Sequence, residues 1–459
     1  MKGITKKTSF RGDESNGVNA DCTLPFGKLS SFRDEMAAEV KDGSITYAHQ
    51  EELPRLPIPT LEETLDKFPV FLEAIQTPKE HEETKRVTHE FKKGAGPKLQ
   101  EALLEYEKEG YESGEFGSYV EEFWNEAYLS PDSSVVLNLN PFFVLEGGPD
   151  PKTASDQLRR AASLCFASVK LASMLKHETL KPDLIKGTPL CMDQFKVLFG
   201  SSRQPGSHDC DGSFDDVHVY GDSSHVLVLC KNQFYYFPAL WPDTMSVAVD
   251  EADILEILQA IQRHAAETDP EVACKEAIGV LTALPRSEWS QIRAELSLSE
   301  ENQKSLHVID SALFVLVLDD FTAPDVHKAA ANMLHGTQCL VDKGGSFQQM
   351  GTCLNRWYDK LQLIVCADGL SGVNFEHAAI DGHTALRFVS DVVAETIISF
   401  AESITQPIYG KGSIPHALNA VVERAALALD EMGRPMLDVV PKKTSLHDSA
   451  FYYQAYFLR

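Results

Sequence analysis

The stretch Leu361-Gln362-Leu363-Ile364-Val365-Cys366-Ala367, then Asp368-Gly369, then Val373-Asn374-Phe375-Glu376-His377-Ala378-Ala379-Ile380-Asp381-Gly382, decides how this chain reads. Residues 361–367 form an apolar run of strand length, Asp368-Gly369 begins a turn, and 373–376 reads as a second strand. Beyond Gly382, Leu386, Val389, Val393 and Ile397 mark one face of a helix. His377 is therefore expected where a strand ends, with Asp381-Gly382 leading into a helix N-terminus. Such a junction suits a general base, because rigid elements fix the imidazole while its outer nitrogen faces a cleft. Histidine is the natural residue for moving a proton near neutral pH. Taken alone, the same residues also fit a buried histidine satisfied by its own backbone, with Asp381 capping the next helix. A metal site from Glu376, His377, Asp381 and His383 is the weaker reading, since neighbours in an extended strand point to opposite faces.

Outward from this stretch, helical and strand patterns alternate. Alternating prolines at Leu53-Pro54-Arg55-Leu56-Pro57-Ile58-Pro59 hold the chain extended, and Thr60 with Glu63 predicts a capping box. Helical spacing follows through Leu61, Leu65, Phe68 and Phe71-Leu72, and again over 98–128. Residues 159–176 read as an apolar helix, 225–237 as a strand pair around Asn232-Gln233, and 312–318 as a strand after a helix near 290. This interleaving predicts an α/β fold.

The chain has 459 residues, enough for more than one domain. With 68 acidic against 42 basic residues its formal charge is −26, which argues against a general nucleic-acid binder. No apolar run reaches the roughly 18 residues of a membrane span. Cysteines at 22, 165, 191, 210, 230, 274, 339, 353 and 366 form no Cys-x-x-Cys pair, so reduced, buried thiols in an intracellular compartment are expected, with no metal. Residues 1–46, rich in Gly, Ser, Asn and mixed charge, read as a weakly ordered tail.

His377-x-x-x-Asp381-Gly382 resembles the signature of the CoA-dependent acyltransferases, the superfamily of chloramphenicol acetyltransferase. The wider chain resembles the carnitine/choline O-acyltransferase family. The blocks that carry this are 53–65, Phe123-Trp124-Asn125-Glu126-Ala127-Tyr128-Leu129, Pro189 to Phe195, Leu198-Phe199 with Ser202-Arg203-Gln204-Pro205-Gly206, Gly279 to Thr282 with Arg286 and Trp289, Met333 to Gly336, and Asn355-Arg356-Trp357-Tyr358-Asp359-Lys360. They occur in family order and end at Glu376-His377.

The resemblance implies a two-domain fold of mixed sheets flanked by helices, with an acyltransferase domain at 47–400 and the start of a second at 401–459. It implies acyl transfer between CoA and the hydroxyl of carnitine, with His377 as base and no acyl-enzyme. CoA or acyl-CoA is co-substrate and no bound cofactor is expected. It places Tyr128 near the carnitine carboxylate and Asp381 beside an arginine of the carnitine site, and it matches Lys442, with Lys443 beside it, to a CoA phosphate contact. Glu376 is expected to be structural, and Arg356 and Asp359 to form a buried ion pair or scaffold contact. The loop between Gly336 and Asn355, with Gly344-Gly345-Ser346, is longer than the family spacing.

Arg459 falls inside an apolar, aromatic segment, and the family's Ser/Thr oxyanion motif and carnitine-binding arginine are not found before it. The expectation is a truncated form with an incomplete second domain. Two alternatives stay open: a catalytically inactive binding or regulatory fragment, and choline acyl transfer. A monomer is expected, in the mitochondrion or peroxisome by resemblance, with the cytoplasm not excluded.

Overall fold

The computed structural model describes residues 44–405, apart from 115, 152–153, 209–213 and 346. Three helices open it: α1 (Leu61–Leu72), α2 (Pro78–Lys93) and α3 (Gly96–Ser113). The expected capping box begins α1, with Glu63 N–H donating to Thr60 Oγ1 and Thr60 N–H to Glu63 Oε2, both at 3.2 Å. The helical stretch expected over 98–128 is two helices. Gly114, left-handed at φ 73°, ends α3, and α4 (Glu121–Leu129) follows after a break.

A six-stranded sheet organises the rest. Its strands are β1 (Phe142–Val144), β6 (His225–Cys230), β7 (Gln233–Pro238), β8 (Val315–Asp319), β11 (Gln362–Cys366) and β12 (Ser371–Asn374), in the order β1-β12-β11-β8-β6-β7. The central strands β6, β8 and β11 run parallel, while β1, β12 and β7 add antiparallel edges. The turn from β6 to β7 pivots on Lys231 and Asn232, both at positive φ (50° and 65°), one residue earlier than the sequence suggested. Side chains alternate across the sheet. Val226, Val228, Leu316, Leu318, Leu363 and Val365 face one core. Leu227, Leu229, Val315, Val317, Ile364 and Cys366 face the other, where Trp289 and Trp357 meet edge to face. Each fully buried branched side chain of this kind stabilises the fold by roughly 1.5–3 kcal/mol.

The first core is covered by α5 (Gln157–Lys176), α6 (Glu251–Ala265) and α11 (Gly382–Thr405). Helix α5, apolar over most of its circumference, sits deepest, as such a helix must. Its Gln157 donates from Nε2 to the carbonyls of Asp319 and Val365, tying the helix start to β8 and β11. The second core is covered by α8 (Arg286–Leu296) and α9 (Glu300–Asp310), with α7 (Pro270–Lys275) nearby. Gly372 in β12 has no alternative: a Cβ there would lie 2.5 Å from Met333 Sδ, on α10 (Val326–His335), and 2.6 Å from the Phe143 carbonyl of β1.

Three short pairs complete the chain: β2 (Leu184–Ile185) with β3 (Thr188–Pro189), β4 (Ser201–Gln204) with β5 (Asp216–Val219), and β9 (Cys339–Asp342) with β10 (Phe347–Met350). The last replaces the loop expected between Gly336 and Asn355, because alternating residues there pair in antiparallel register. Helix α11 runs through residue 400, where a domain boundary was expected; beyond Thr405 the proposed second unit lies outside the described residues. No helix among the described residues is long and apolar enough to cross a membrane.

Candidate active site

Strand β12 ends at Asn374, whose side-chain amide donates to the carbonyls of Met333 and Leu334. Phe375 N–H donates to Pro141 O. The chain then turns through Glu376-His377-Ala378-Ala379 before α11 begins. Glu376 is buried, and its Oε2 accepts the N–H groups of Ala378 (3.0 Å) and Ala379 (3.2 Å). The carboxylate thus closes the turn around its neighbour, the scaffold role expected of it.

His377, half-buried, lies flat against Tyr128, with ring centroids 4.9 Å apart and planes 14° from parallel. Trp124 stacks on Tyr128 with ring centroids 4.7 Å apart and also lies near the imidazole, 6.4 Å between centroids. Tyr128 and Trp124 project from one turn of α4, four residues apart, so one helix end presents both rings. The sequence placed Tyr128 near the site but gave no sign of its direct contact with the imidazole. His377 Nδ1 is buried and has no hydrogen-bond partner among the described residues.

Asp381 caps α11: its Oδ1 accepts from the N–H groups of His383 (2.9 Å) and Thr384 (3.0 Å). It pairs with no arginine among the described residues. Gln194 Oε1 holds the same corner, accepting from Asp381 N–H and Thr384 Oγ1. Lys442 and Lys443 lie outside the described residues.

Beneath the turn lies a sealed charge network. Arg203 on β4 donates from Nε to Asp215 (2.5 Å), from Nη1 to Glu376 Oε1 (2.8 Å) and from Nη2 to the Tyr128 carbonyl (2.9 Å). Asp215 also accepts from Arg286 Nε (2.6 Å), His208 Nε2 and Gly206 N–H (both 2.8 Å). Arg286 Nη1 lies 2.9 Å from Asp359 Oδ1, an ion-pair contact without hydrogen-bond alignment, while Asp359 Oδ2 accepts from Trp289 Nε1. Burial pushes the Asp215 carboxyl up, yet Arg286 and Arg203 outweigh it and hold the group below its ordinary value. For Asp359 burial wins over Arg286 and raises the carboxyl. Arg203 and Arg286 stood in the sequence as unassigned members of family blocks. Asp215 carried no signal, since a lone aspartate before a short strand looks like any surface residue.

The expected pairing of Arg356 with Asp359 does not form. Arg356 binds Asp319 at the end of β8 through a two-pronged contact, both bonds 2.8 Å, and Asp359 belongs to Arg286. Both residues are buried scaffold, but with exchanged partners. Cys165, Cys230, Cys274, Cys353 and Cys366 are buried as expected; Cys191 and Cys339 are exposed. Burial pushes the thiols of Cys165, Cys230, Cys353 and Cys366 up, which makes them poor nucleophiles.

A histidine at the end of a sheet strand, stacked on a tyrosine and underpinned by buried ion pairs, defines a site suited to proton transfer. The chain belongs to the choline/carnitine O-acyltransferase family, whose model matches residues 56–426. It is 38% identical to the Saccharomyces cerevisiae protein named "Putative mitochondrial carnitine O-acetyltransferase", over 78% of this chain and 54% of that protein. It is 31% identical to the human mitochondrial carnitine O-palmitoyltransferase 2, over 76% of this chain and 53% of the relative. Against the Saccharomyces cerevisiae mitochondrial carnitine O-acetyltransferase it is 29% identical, over 86% of this chain and 55% of the relative. The chain thus spans about half the length of the curated relatives it matches.

Proposed function

We propose that this chain takes part in acyl transfer between coenzyme A and the hydroxyl of carnitine, with His377 as general base. The observation that carries the reading is the imidazole fixed against Tyr128 at the end of β12, in a chain of this family. With a proton on Nδ1, the Nε2 lone pair takes the hydroxyl proton as the alkoxide oxygen attacks the thioester carbonyl. The tetrahedral intermediate collapses with cleavage of the C–S bond, and the departing thiolate takes the proton back from the imidazolium. In reverse, His377 deprotonates the CoA thiol. No acyl-enzyme forms, so no cysteine is required.

In this reading Tyr128 borders the carnitine carboxylate, and Asp381 orders the corner where α11 begins. Lys442 and Lys443 contact a CoA phosphate. Residues 47–400 form one acyltransferase unit and 401–459 begin a second. The names of the relatives favour carnitine over choline, and the mitochondrion as compartment.

The test is thiol release from acetyl-CoA by the purified full chain, with carnitine or choline as acceptor, beside His377→Ala. Carnitine-dependent release is expected from the parent chain, and the variant should lose about 10²–10⁴-fold, the usual contribution of a positioned base. Equal background from both proteins would refute the catalytic reading and leave a binding role. Release with choline alone would reassign the acceptor.

A further inference from the structure

A general base is normally aimed by a hydrogen bond to its second ring nitrogen, which fixes both tautomer and orientation. His377 lacks one: Nδ1 is buried and unpartnered among the described residues. What places the ring is the turn that carries it, closed by Glu376, and the face of Tyr128 against which it lies, with Phe375 and Trp124 as more distant ring neighbours. These two supports come from distant parts of the chain, the end of α4 and the end of β12, and no ladder joins them. One side chain does. Arg203 Nη1 binds the Glu376 carboxylate that closes the His377 turn, and Nη2 of the same guanidinium binds the backbone carbonyl of Tyr128. Its Nε is fixed by Asp215, which Arg286 holds in turn. The planar fork sets these contacts at fixed angles, which a lysine ammonium cannot reproduce.

We propose that Arg203 is the positioning residue of this site: through Glu376 and the Tyr128 carbonyl it sets the stack that orients the His377 imidazole. Arg203 is buried, and its three guanidinium nitrogens bond to Asp215, Glu376 and the Tyr128 backbone carbonyl, not to a ring atom. It acts by fixing both the turn that carries the ring and the helix end whose tyrosine faces it. The assignment rests on the reading of His377 as the base.

The experiment uses the full chain labelled with 13C at the histidine Cε1 positions. The His377 Hε1 resonance is assigned by its loss in His377→Ala. A ring lying flat on Tyr128 feels its ring current, so Tyr128→Leu should move this resonance and set the scale of the stack. Arg203→Lys, which keeps the charge and loses the fork, is expected to reproduce most of that displacement and to lower kcat about 10²-fold, the cost of a misplaced reacting group. The KM for acyl-CoA should change far less. Should Arg203→Lys fail to fold, by loss of its near-UV circular dichroism, Glu376→Gln decides: its amide must turn a donor towards either Arg203 or the turn N–H groups, and the same displacement is expected. A His377 resonance unmoved in the folded variants overturns the proposal, even if activity falls. A resonance that moves in a chain whose parent transfers no acyl group leaves the positioning intact and refutes the base instead.

Discussion

Arg203 and Arg86 each place all three of their side-chain nitrogens on acceptors, and they do so in opposite surroundings. Arg203 is sealed, with its partners Asp215 and Glu376 likewise buried. Arg86 on α2 binds Glu83 through two nitrogens and Glu90 through the third, with about half of its side chain in solvent. A count of hydrogen bonds would rank them equal, but water separates them. Around Arg86 it takes over any contact that is lost, so the pairs decorate a helix that forms without them. Around Arg203 there is no substitute, and every removed group strands a charge. The sealed network therefore acts as a unit, whereas the exposed one is a set of replaceable neighbours.

The largest effect that would break this contrast is on Asp215, which four donors share. Asp215→Ala should cost about 3–5 kcal/mol in urea unfolding, because it leaves Arg203 and Arg286 buried without their common counter-charge. A loss under about 1 kcal/mol would mean that water reaches the network.

Lys360 sharpens the comparison, since it is a buried amine with no carboxylate hydrogen-bonded to it among the described residues. Its ammonium donates to the carbonyls of Ser201 (2.7 Å) and Asp310 (2.5 Å), and burial lowers it to about 7. The native chain therefore sheds this proton near neutrality, while the unfolded chain keeps it to about pH 10. Unfolding takes up a proton in that window, so stability should rise with pH from about 7 to 10, by up to about 1.4 kcal/mol per unit. Lys360→Met should flatten this slope; an unchanged slope in the variant would assign it to another group. The smallest effect belongs to the exposed fork. Arg86→Ala should leave the urea midpoint unchanged, and a clear shift would show that α2 depends on its surface charges.

What the sequence disclosed and what it hid divide along the same line. Local rules placed His377 at a strand end, Asp381 at a helix cap and Thr60 with Glu63 in a capping box, since each depends on neighbours within a few residues. Periodicity found α5 and the β6–β7 pair to within a residue or two. The hairpin of β9 and β10 escaped because its glycine-bearing turn looked like plain loop. Contacts made by the fold alone were out of reach: the Tyr128–His377 stack, the choice of Asp319 over Asp359 by Arg356, and the convergence on Asp215. Charge pairing inside a core is decided by which backbone ends meet, and no pattern along the chain encodes that meeting.

The position of α5 also bears on how the chain is made. This helix buries apolar side chains almost all round, yet the strands it covers, β8 and β11, are encoded well after it, and β12 later still. At roughly 5–20 residues per second, a ribosome needs on the order of 10–40 s to bring them out. For that interval a greasy helix has no sheet to cover, and its Gln157 has no strand carbonyls to bind. The chain therefore emerges with this apolar helix ahead of the strands that will cover it, and the closing of its first core waits on its last strands.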